Sequence, residues 1–273
     1  MGVDLRGLET LVRLSNQEGF EGKSILTLGR QSINVKPRHL IISKFKSMLT
    51  LGRESINLRP RGLAISNFNW LDEFLVACGA AQARSLDVSG YEGASDVADL
   101  QDPPPAHLID WANLILDFGT SEHVFDIQAV YRSVFSILRF NGLYVGILPR
   151  SGWGDHGLYQ FNPEFAHVLK NKYDWDLELF STAVDAPSAV WRRYENFGAD
   201  PPFVRKAIKH RSYLVMFLRK TGESPADQTS PSQQSIRYTE AFHIGNAPRV
   251  AMVSTFGLGQ YLSLPLPPKR ERA

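Results

Sequence analysis

Patterns typical of buried strands alternate with helical patterns along the chain, and this alternation restricts the possible folds more than any other feature. The apolar runs that indicate strands are residues 85–89, 111–118, 143–148 and 212–220. Between them, apolar residues recur at helical spacing in 69–80 and 126–139. Strands that alternate with helices form a mostly parallel sheet covered by helices on both faces. The pattern therefore predicts a doubly wound α/β fold, in which the last strands form an antiparallel edge.

A tandem repeat precedes these elements, in residues 23–45 and 46–68. The two copies read KSILTLGRQSINVKPRHLIISKF and KSMLTLGRESINLRPRGLAISNF, at a period of 23 residues. Two copies are too few for a solenoid, which needs about three or more repeats. Each copy begins with an apolar run that ends in Leu-Gly-Arg, a pattern that indicates a buried strand followed by a turn. We interpret the repeat as a duplication of the first strand, with the second copy favoured because it is nearer to the helix at 69–80.

Composition limits the classes of partner and compartment. The chain has a net charge of +2 and one cysteine, and 43% of its 273 residues are hydrophobic. A charge so close to zero does not indicate binding to nucleic acid or to an anionic membrane. One cysteine cannot form an internal disulfide bond, and no apolar run approaches the ~20 residues that span a bilayer. We therefore expect a cytoplasmic protein with neither a nucleic-acid nor a membrane partner, whose oligomeric state the sequence does not indicate.

The sequence also suggests a division into segments. Residues 1–22 are an N-terminal extension, and the repeat with the alternating elements makes one α/β domain over 23–220. Ser, Pro, Gln and Thr dominate 221–235, a composition typical of a flexible linker. The remaining segment, 236–273, is too short to fold as an independent domain and is interpreted as a C-terminal tail.

Candidate ligand-binding residues follow the predicted strands, because sheets of this class bind ligands beyond the carboxyl ends of their strands. A glycine follows the first strand in either copy, at Gly29 or Gly52. Asp87 ends the next strand, where an acidic side chain can accept hydrogen bonds from both hydroxyls of a ribose. Asp99 could similarly accept the amino group of an adenine. A solvated surface carboxylate or a helix cap remains the alternative for both aspartates.

Two further loops are expected at the same edge of the sheet. The segment DFGTSEHVFD, residues 117–126, contains His123 directly after Glu122, and the segment 149–163 contains His156. Histidine titrates near neutral pH, so either imidazole could act as a general base, although a packed structural histidine is the alternative. Aromatic residues of the second loop could form walls for a ligand; they are Trp153, Tyr159 and Phe161.

Several other kinds of site are disfavoured by the absence of their motifs. The seven histidines and one cysteine show no His-Glu-x-x-His or Cys-x-x-Cys arrangement, so we expect no metal site. A Gly-x-Ser-x-Gly nucleophile turn is also absent. A Gly-x-Gly-x-x-Gly fingerprint is missing from both copies of the repeat, which argues against a dinucleotide-dependent oxidoreductase.

Three ordered blocks of sequence resemble a known family. They are SLDVSGYEGASDVADL, LILDFGTSEHVF and SILRFNGLYVGILPRSGWGDHGLYQFNPEF. Together they resemble a bacterial, methyltransferase type 11-like branch of the class I S-adenosylmethionine-dependent methyltransferases. The resemblance implies a Rossmann-like sheet of seven strands, mostly parallel, with a final antiparallel strand. It also implies S-adenosyl-L-methionine as the cofactor.

The resemblance assigns a role to each candidate residue. The implied cofactor-binding residues are Gly52, Gly29, Asp87, Asp99, Asp117 and Gly119. Of these, one of the two repeat glycines marks the turn on the methionine side, Asp87 holds the ribose and Asp99 lies near the adenine. His123 and His156 would border the pocket for the methyl acceptor, and Asp117 and Gly119 would lie beside the cofactor and the acceptor.

Two functions follow as hypotheses from the resemblance. The first is methyl transfer from S-adenosyl-L-methionine to a small-molecule or saccharide-type acceptor, with His123 or His156 as the catalytic base. The alternative is a methyltransferase-like binding protein without turnover, because the loop after the first strand has a single glycine and the duplication interrupts the domain.

Overall fold

A computed structural model describes residues 2–33, 41–42, 48–51, 54–57, 68–184, 191–193 and 211–222. Within these ranges the α-helices are α1 (Leu5–Gln17), α2 (Leu71–Ala77), α3 (Ile127–Ile137) and α4 (Glu164–Tyr173). The strands before α2 are β1 (Gly2–Val3), β2 (Ser24–Leu28), β3 (Ser32–Ile33), β4 (Ile41–Ile42), β5 (Met48–Leu51) and β6 (Glu54–Asn57). The later strands are β7 (Gln82–Asp87), β8 (Asp96–Val97), β9 (Ala112–Asp117), β10 (Leu138–Ser151), β11 (Trp175–Val184), β12 (Trp191–Arg193) and β13 (Ser212–Lys220).

The main sheet has the strand order β12-β11-β13-β10-β9-β2-β7-β8. Strands β8, β7, β2, β9 and β10 are mutually parallel. Strand β13 runs antiparallel to both β10 and β11, and β12 runs antiparallel to β11. The predicted mostly parallel, Rossmann-like sheet with an antiparallel edge is confirmed. The described sheet has eight strands rather than seven, because β12 extends the antiparallel edge.

Two apolar cores cover the two faces of this sheet, as expected for a doubly wound fold. On one face, Leu11 of α1 and Phe74 of α2 belong to the core and are at most 1% exposed. On the other face, Val134 of α3 and Leu169 of α4 are buried at no more than 4% exposure. Helix α1 lies in the predicted N-terminal extension, residues 1–22, and packs on the sheet through this first core.

The two copies of the repeat occupy different places in the fold. The strand of the first copy, β2, lies between β7 and β9 in the main sheet. The corresponding strand of the second copy, β5, pairs with β4 and β6 in a separate antiparallel sheet. The preference for the second copy is therefore wrong. Both copies contain the same Leu-Thr-Leu-Gly-Arg run, so the residue pattern fits either place, and the first copy reaches the sheet directly from α1. Gly52 lies outside the described residues.

Backbone pairing joins the chain after β3 to the chain before α2. Ser32 forms an isolated antiparallel bridge with Trp70, and the amide of Ile33 donates to the carbonyl oxygen of Asn69 at 2.9 Å. Because the two ends are joined by backbone hydrogen bonds, the span between them closes a loop on the main domain. The free-energy cost of closing such a loop rises only slowly with its length, by about 0.6 kcal/mol for each doubling.

We expect deletion of residues 46–68 to leave the main domain folded. The deletion joins Phe45 to Asn69, which restores a single copy of the repeat and retains β2. Unfolding followed in urea should be cooperative, with a free energy of unfolding within about 1 kcal/mol of the wild-type value. Deletion of both copies, residues 23–68, is the control, since it removes the central strand and should abolish cooperative unfolding. Loss of cooperative unfolding in the single-copy variant would contradict the placement of the two copies.

In the part of the chain that the structure describes, no helix combines the length and the hydropathy that crossing a bilayer requires.

Candidate functional site

The carboxyl ends of β2 and β9 meet where the strand order reverses. Strands β7 and β8 lie on one side of β2, whereas β9 and β10 lie on the other. Open parallel sheets bind ligands in the crevice at such a switch point. Gly29 follows β2 directly with φ of +69°, and a Cβ atom added there would lie 2.7 Å from Thr120 Oγ1. The absence of a side chain at Gly29 therefore permits the loops after β2 and β9 to approach each other closely.

Gln31 joins these two loops from a buried position. Its Nε2 atom donates to the carbonyl oxygen of Leu28 at 2.9 Å and to Thr120 Oγ1 at 3.1 Å. Thr120 Oγ1 in turn donates to the Leu28 carbonyl at 2.6 Å. These contacts fix the orientation of the Gln31 amide, because the Leu28 carbonyl can only accept. Gln31 Oε1 is buried and has no hydrogen-bond partner among the described residues, so it can accept from a ligand.

Asp87 is the last residue of β7, beside the turn at Gly29. Its Oδ2 accepts from the amide of Arg30 at 3.1 Å, and its Oδ1 accepts from the amide of Ser89 at 3.1 Å. An ionised carboxylate offers about four acceptor positions, so part of the capacity of Asp87 is unused by these contacts. The side chain is half-buried, which leaves it accessible to a ligand at this edge.

Arg30 connects the start of α2 to the loop after β7. Its guanidinium lies 4.5 Å from the centre of the Trp70 ring, and its Nη1 donates to the carbonyl oxygen of Gly93 at 2.6 Å. Asp72 and Glu73 in the first turn of α2 each lie 3.7 Å from the guanidinium. These contacts hold the loop that carries the Asp87 carboxylate.

Asp99 follows β8, the neighbour of β7, at the same edge of the sheet. Its Oδ1 accepts from the backbone amide of Gln101 at 2.9 Å and from Gln101 Nε2 at 3.3 Å. The side chain is half-buried. Its contacts are thus those of a local turn.

Asp117 ends β9 and is completely buried. Its Oδ1 accepts from the amides of Thr120 and Ser121 at 3.0 and 3.3 Å. Its Oδ2 accepts from Tyr144 Oη at 2.9 Å and from the hydroxyl of Ser121. Burial raises the pKa of Asp117, an effect that these four donors oppose. Asp117 therefore fixes the conformation of the loop after β9 through hydrogen bonds in the protein interior.

Gly119 borders a small cleft between the loop after β9 and the N-terminal segment. The residues that line it are Gly2, Val3, Asp4, Gly7, Phe118, Gly119, Ile147 and Tyr213. Tyr213 Oη donates to Asp4 Oδ2 at 2.7 Å, which holds the start of α1 against β13. The same Asp4 side chain caps α1 by accepting from the amides of its first turn. The lining is mostly apolar.

His123 and His156 meet around the carboxylate of Glu122. The two imidazole rings are 4.8 Å apart between centres and nearly perpendicular, at 87°. Glu122 Oε1 lies 3.8 Å from His123 Nε2 and 3.7 Å from His156 Nε2. Burial raises the pKa of Glu122 to about 8 and lowers the pKa of His123. The cluster thus combines a buried carboxyl group with two partly exposed imidazoles.

The expectation that Trp153 and Phe161 form walls for a ligand is wrong. Trp153 is 7% exposed, and its Nε1 donates to the carbonyl oxygen of Ser212 at 3.0 Å. Phe161 is 5% exposed and packs against Phe165, with 4.7 Å between ring centres. Both rings are therefore part of the apolar cores, Trp153 on one face of the sheet and Phe161 on the other. Trp153 nevertheless links the two candidate regions, since its ring packs between Tyr213 of the cleft and His156.

The structure groups the predicted residues into two neighbouring clusters. Gly29 and Asp87 lie with Asp117 at the switch point, whereas His123 and His156 converge on Glu122. Asp99 is placed beyond the adjacent strand β8. Sequence reasoning did not single out Gln31 or Thr120, whose importance depends on the contact between two loops that are distant in sequence.

Comparison with known proteins gives only remote similarity. No family model matches the sequence, and no curated protein matches it. Among solved structures, an S-adenosylmethionine dependent methyltransferase from Mesorhizobium loti is 14% identical, with 77% of this chain and 96% of that chain covered and a TM-score of 0.42. The 1,6-didemethyltoxoflavin-N1-methyltransferase of Burkholderia thailandensis is 16% identical, with 77% and 76% covered and a TM-score of 0.40. A geranyl diphosphate methyltransferase in complex with SAM is 11% identical, with 79% and 86% covered and a TM-score of 0.43.

Proposed function

We propose that this chain is an S-adenosyl-L-methionine-dependent methyltransferase that acts on a small-molecule or saccharide-type acceptor. The observation that carries the proposal is the switch point between β2 and β9, where Gly29, Gln31 and Asp87 lie together at the carboxyl edge of the sheet. A crevice at this position is where sheets of this topology bind nucleotide-containing ligands. The three ordered sequence blocks end at the same edge.

The chemistry of these residues fits the proposed cofactor. The unpartnered Oε1 of Gln31 is a buried acceptor that suits the ammonium group of the methionine portion. Asp87 has spare acceptor capacity for the two ribose hydroxyls, and we assign Asp99 to the adenine side. Bound S-adenosyl-L-methionine supplies a methyl group on a positively charged sulfur. The protein's contribution is mainly to hold the acceptor in line with that methyl group.

On the acceptor side, we assign Gly119 and the adjoining apolar cleft to acceptor binding. Tyr213 of the cleft packs against Trp153, and Trp153 packs against His156, so one layer of side chains separates the cleft from the histidine cluster. An imidazole at this position can take the proton from a hydroxyl or amine acceptor. We assign this role to His123 and His156 together, because their rings are in contact.

Replacing Asp87 with alanine should weaken cofactor binding about 10- to 100-fold, since a hydrogen bond to a charged group contributes about 1.5–3 kcal/mol. Thermal melting with and without S-adenosyl-L-methionine, or with its demethylated product, measures this loss. A ligand at about 100 times its dissociation constant stabilises the folded state by about 2.7 kcal/mol. Wild-type protein should therefore melt at a higher temperature when either ligand is present, and D87A should show a reduced increase.

The matched control is Asp102→Ala, which removes an exposed carboxylate from the loop after β8. This variant should retain the full ligand-induced increase in melting temperature. The proposal would be abandoned if neither ligand raised the melting temperature of the wild-type protein. Binding without transfer of a labelled methyl group to any small molecule or saccharide offered would restrict the protein to a binding role.

A further inference from the structure

Two loops that are distant in sequence place three potential metal ligands around one point. One ligand atom from each of Glu122, His123 and His156 lies within 4.8 Å of the other two. The carboxylate is completely buried, whereas the side chains of His123 and His156 are 46% and 28% exposed. The buried carboxylate therefore closes the cluster toward the protein interior, and the two imidazoles leave it accessible to solvent.

The buried carboxylate lacks hydrogen-bond donors. Neither oxygen of Glu122 has a hydrogen-bond partner within the described residues. A buried carboxyl group without hydrogen-bond donors is costly, and buried carboxylates that stay ionised are paired with a cation or coordinate a metal. Glu122 Oε1 lies 3.8 Å from His123 Nε2 and 3.7 Å from His156 Nε2, distances beyond hydrogen bonding. The three groups thus converge at distances that a shared cation could bridge.

The backbone holds the two loops together at this cluster. The amide of Leu158 donates to the carbonyl oxygen of Glu122 at 2.7 Å, and the amide of His156 donates to the carbonyl oxygen of Trp153 at 3.1 Å. Gly157 has φ of +70°, and a Cβ atom at this residue would lie 2.7 Å from Glu122 Cγ. Only glycine allows so close an approach in this conformation. These backbone contacts therefore hold the three side chains in this arrangement.

We propose that Glu122, His123 and His156 form a binding site for a divalent transition-metal ion, with Zn²⁺ as the expected ion. Two imidazole nitrogens and one carboxylate oxygen, with further positions open, are a ligand set found in zinc enzymes and in non-haem iron proteins. Ligand atoms at zinc-bond lengths in a tetrahedral site are about 3.3–3.4 Å apart. The observed separations of 3.7 and 3.8 Å from Glu122 Oε1 require only small side-chain movements.

The ligands of this site are separate from the residues assigned to the cofactor, although Glu122 and His123 follow Asp117 and Thr120 on the loop after β9. An imidazole nitrogen that binds a metal ion cannot also accept a proton, so with the ion bound His123 and His156 are ligands, and the general-base role proposed for them belongs to the metal-free protein.

The seven histidines lack a recognised metal-binding spacing, and for that reason the sequence predicted no metal. His123 and His156 come from different loops that only the tertiary structure brings together. A cation here would also lie beside the cleft bordered by Gly119, through the packing of Trp153 against His156.

The test uses the full, tag-free chain, stripped with a chelator and titrated with Zn²⁺ by calorimetry and with Co²⁺ by visible absorption. We expect one equivalent of either ion to bind, with cobalt bands typical of a site of low coordination number. Glu122→Gln and His156→Asn should each weaken binding by at least about 100-fold, because changes to outer-sphere partners alone cost about 10- to 100-fold. Circular dichroism and melting of the metal-free variants check that they fold.

His107→Gln is the matched control, because this partly exposed histidine also lies beside a carboxylate, 2.7 Å from Asp96. It should bind Zn²⁺ as the wild type does. The proposal is overturned if the stripped wild-type chain takes up no equivalent of either ion. It is also overturned if folded E122Q and H156N bind with wild-type affinity, or if H107Q weakens binding as much as they do.

Discussion

Replacing Asp117 with alanine is expected to lower the free energy of unfolding by about 2–4 kcal/mol, because it breaks a buried hydrogen-bond network. The carboxylate is completely buried and accepts from two backbone amides and two hydroxyls, at Thr120, Ser121 and Tyr144. Alanine leaves these donors without their acceptor, and each buried unsatisfied group costs about 1–3 kcal/mol. Urea unfolding of D117A and wild type, compared through their midpoints and slopes, measures the loss.

The control for this substitution is Asp155→Ala. Asp155 is also paired, with Arg211 at 3.1 Å, but its side chain is 72% exposed. Exposed ion pairs contribute about 0–1 kcal/mol, so D155A should unfold close to the wild-type midpoint. A loss below about 1 kcal/mol in D117A would mean that the Asp117 network does not hold the loop after β9.

Replacing Gly29 with alanine is expected to lower the free energy of unfolding by about 2–4 kcal/mol and to abolish the stabilisation by S-adenosyl-L-methionine. The left-handed conformation costs a non-glycine residue about 1–2 kcal/mol. In addition, the new Cβ atom would lie 2.7 Å from Thr120 Oγ1, so the loops after β2 and β9 must separate. Separation also breaks the contact between Thr120 and Gln31. Thermal melting with and without the ligand measures both effects.

Gly19→Ala separates the conformational cost from the steric cost. Gly19 has φ of +66°, close to the +69° of Gly29, but a Cβ atom there would have no neighbour within 4 Å. G19A should therefore lose only the conformational part, about 1–2 kcal/mol. The double variant G29A/T120A, which removes the opposing hydroxyl and methyl groups, should recover part of the loss in G29A. Equal losses in G19A and G29A would show that the two loops are not in close contact.

Much of the fold could be predicted because its elements are local in sequence. The run 212–220 was predicted as a strand and is observed with the same bounds, as β13. The helical spacing over 126–139 corresponds to α3, which begins after Asp126, whose side chain caps the helix by accepting from the amide of Ala129 at 2.9 Å. Strand β12 was not predicted, because three residues are too few to give a periodic pattern.

The site was less predictable, because its contacts join loops that are far apart in the chain. That Gly29, Asp87 and Asp117 follow strands could be read from the apolar runs. By contrast, the lone acceptor of Gln31 and the convergence of His156 on Glu122 depend on which loops become neighbours. The aromatic loop was misinterpreted for the opposite reason, since local composition cannot distinguish a ligand wall from a core residue such as Trp153.

The antiparallel bridge between Ser32 and Trp70 has a consequence for how the gene can change. The chain leaves this pairing after Ile33 and returns to it at Asn69, so the length between these two residues is not coupled to the register of the central strands. Unequal recombination within the coding repeat would add or remove steps of 23 residues at this point. The domain can thus accommodate different numbers of repeat copies. Variation in chain length would then be confined to this position.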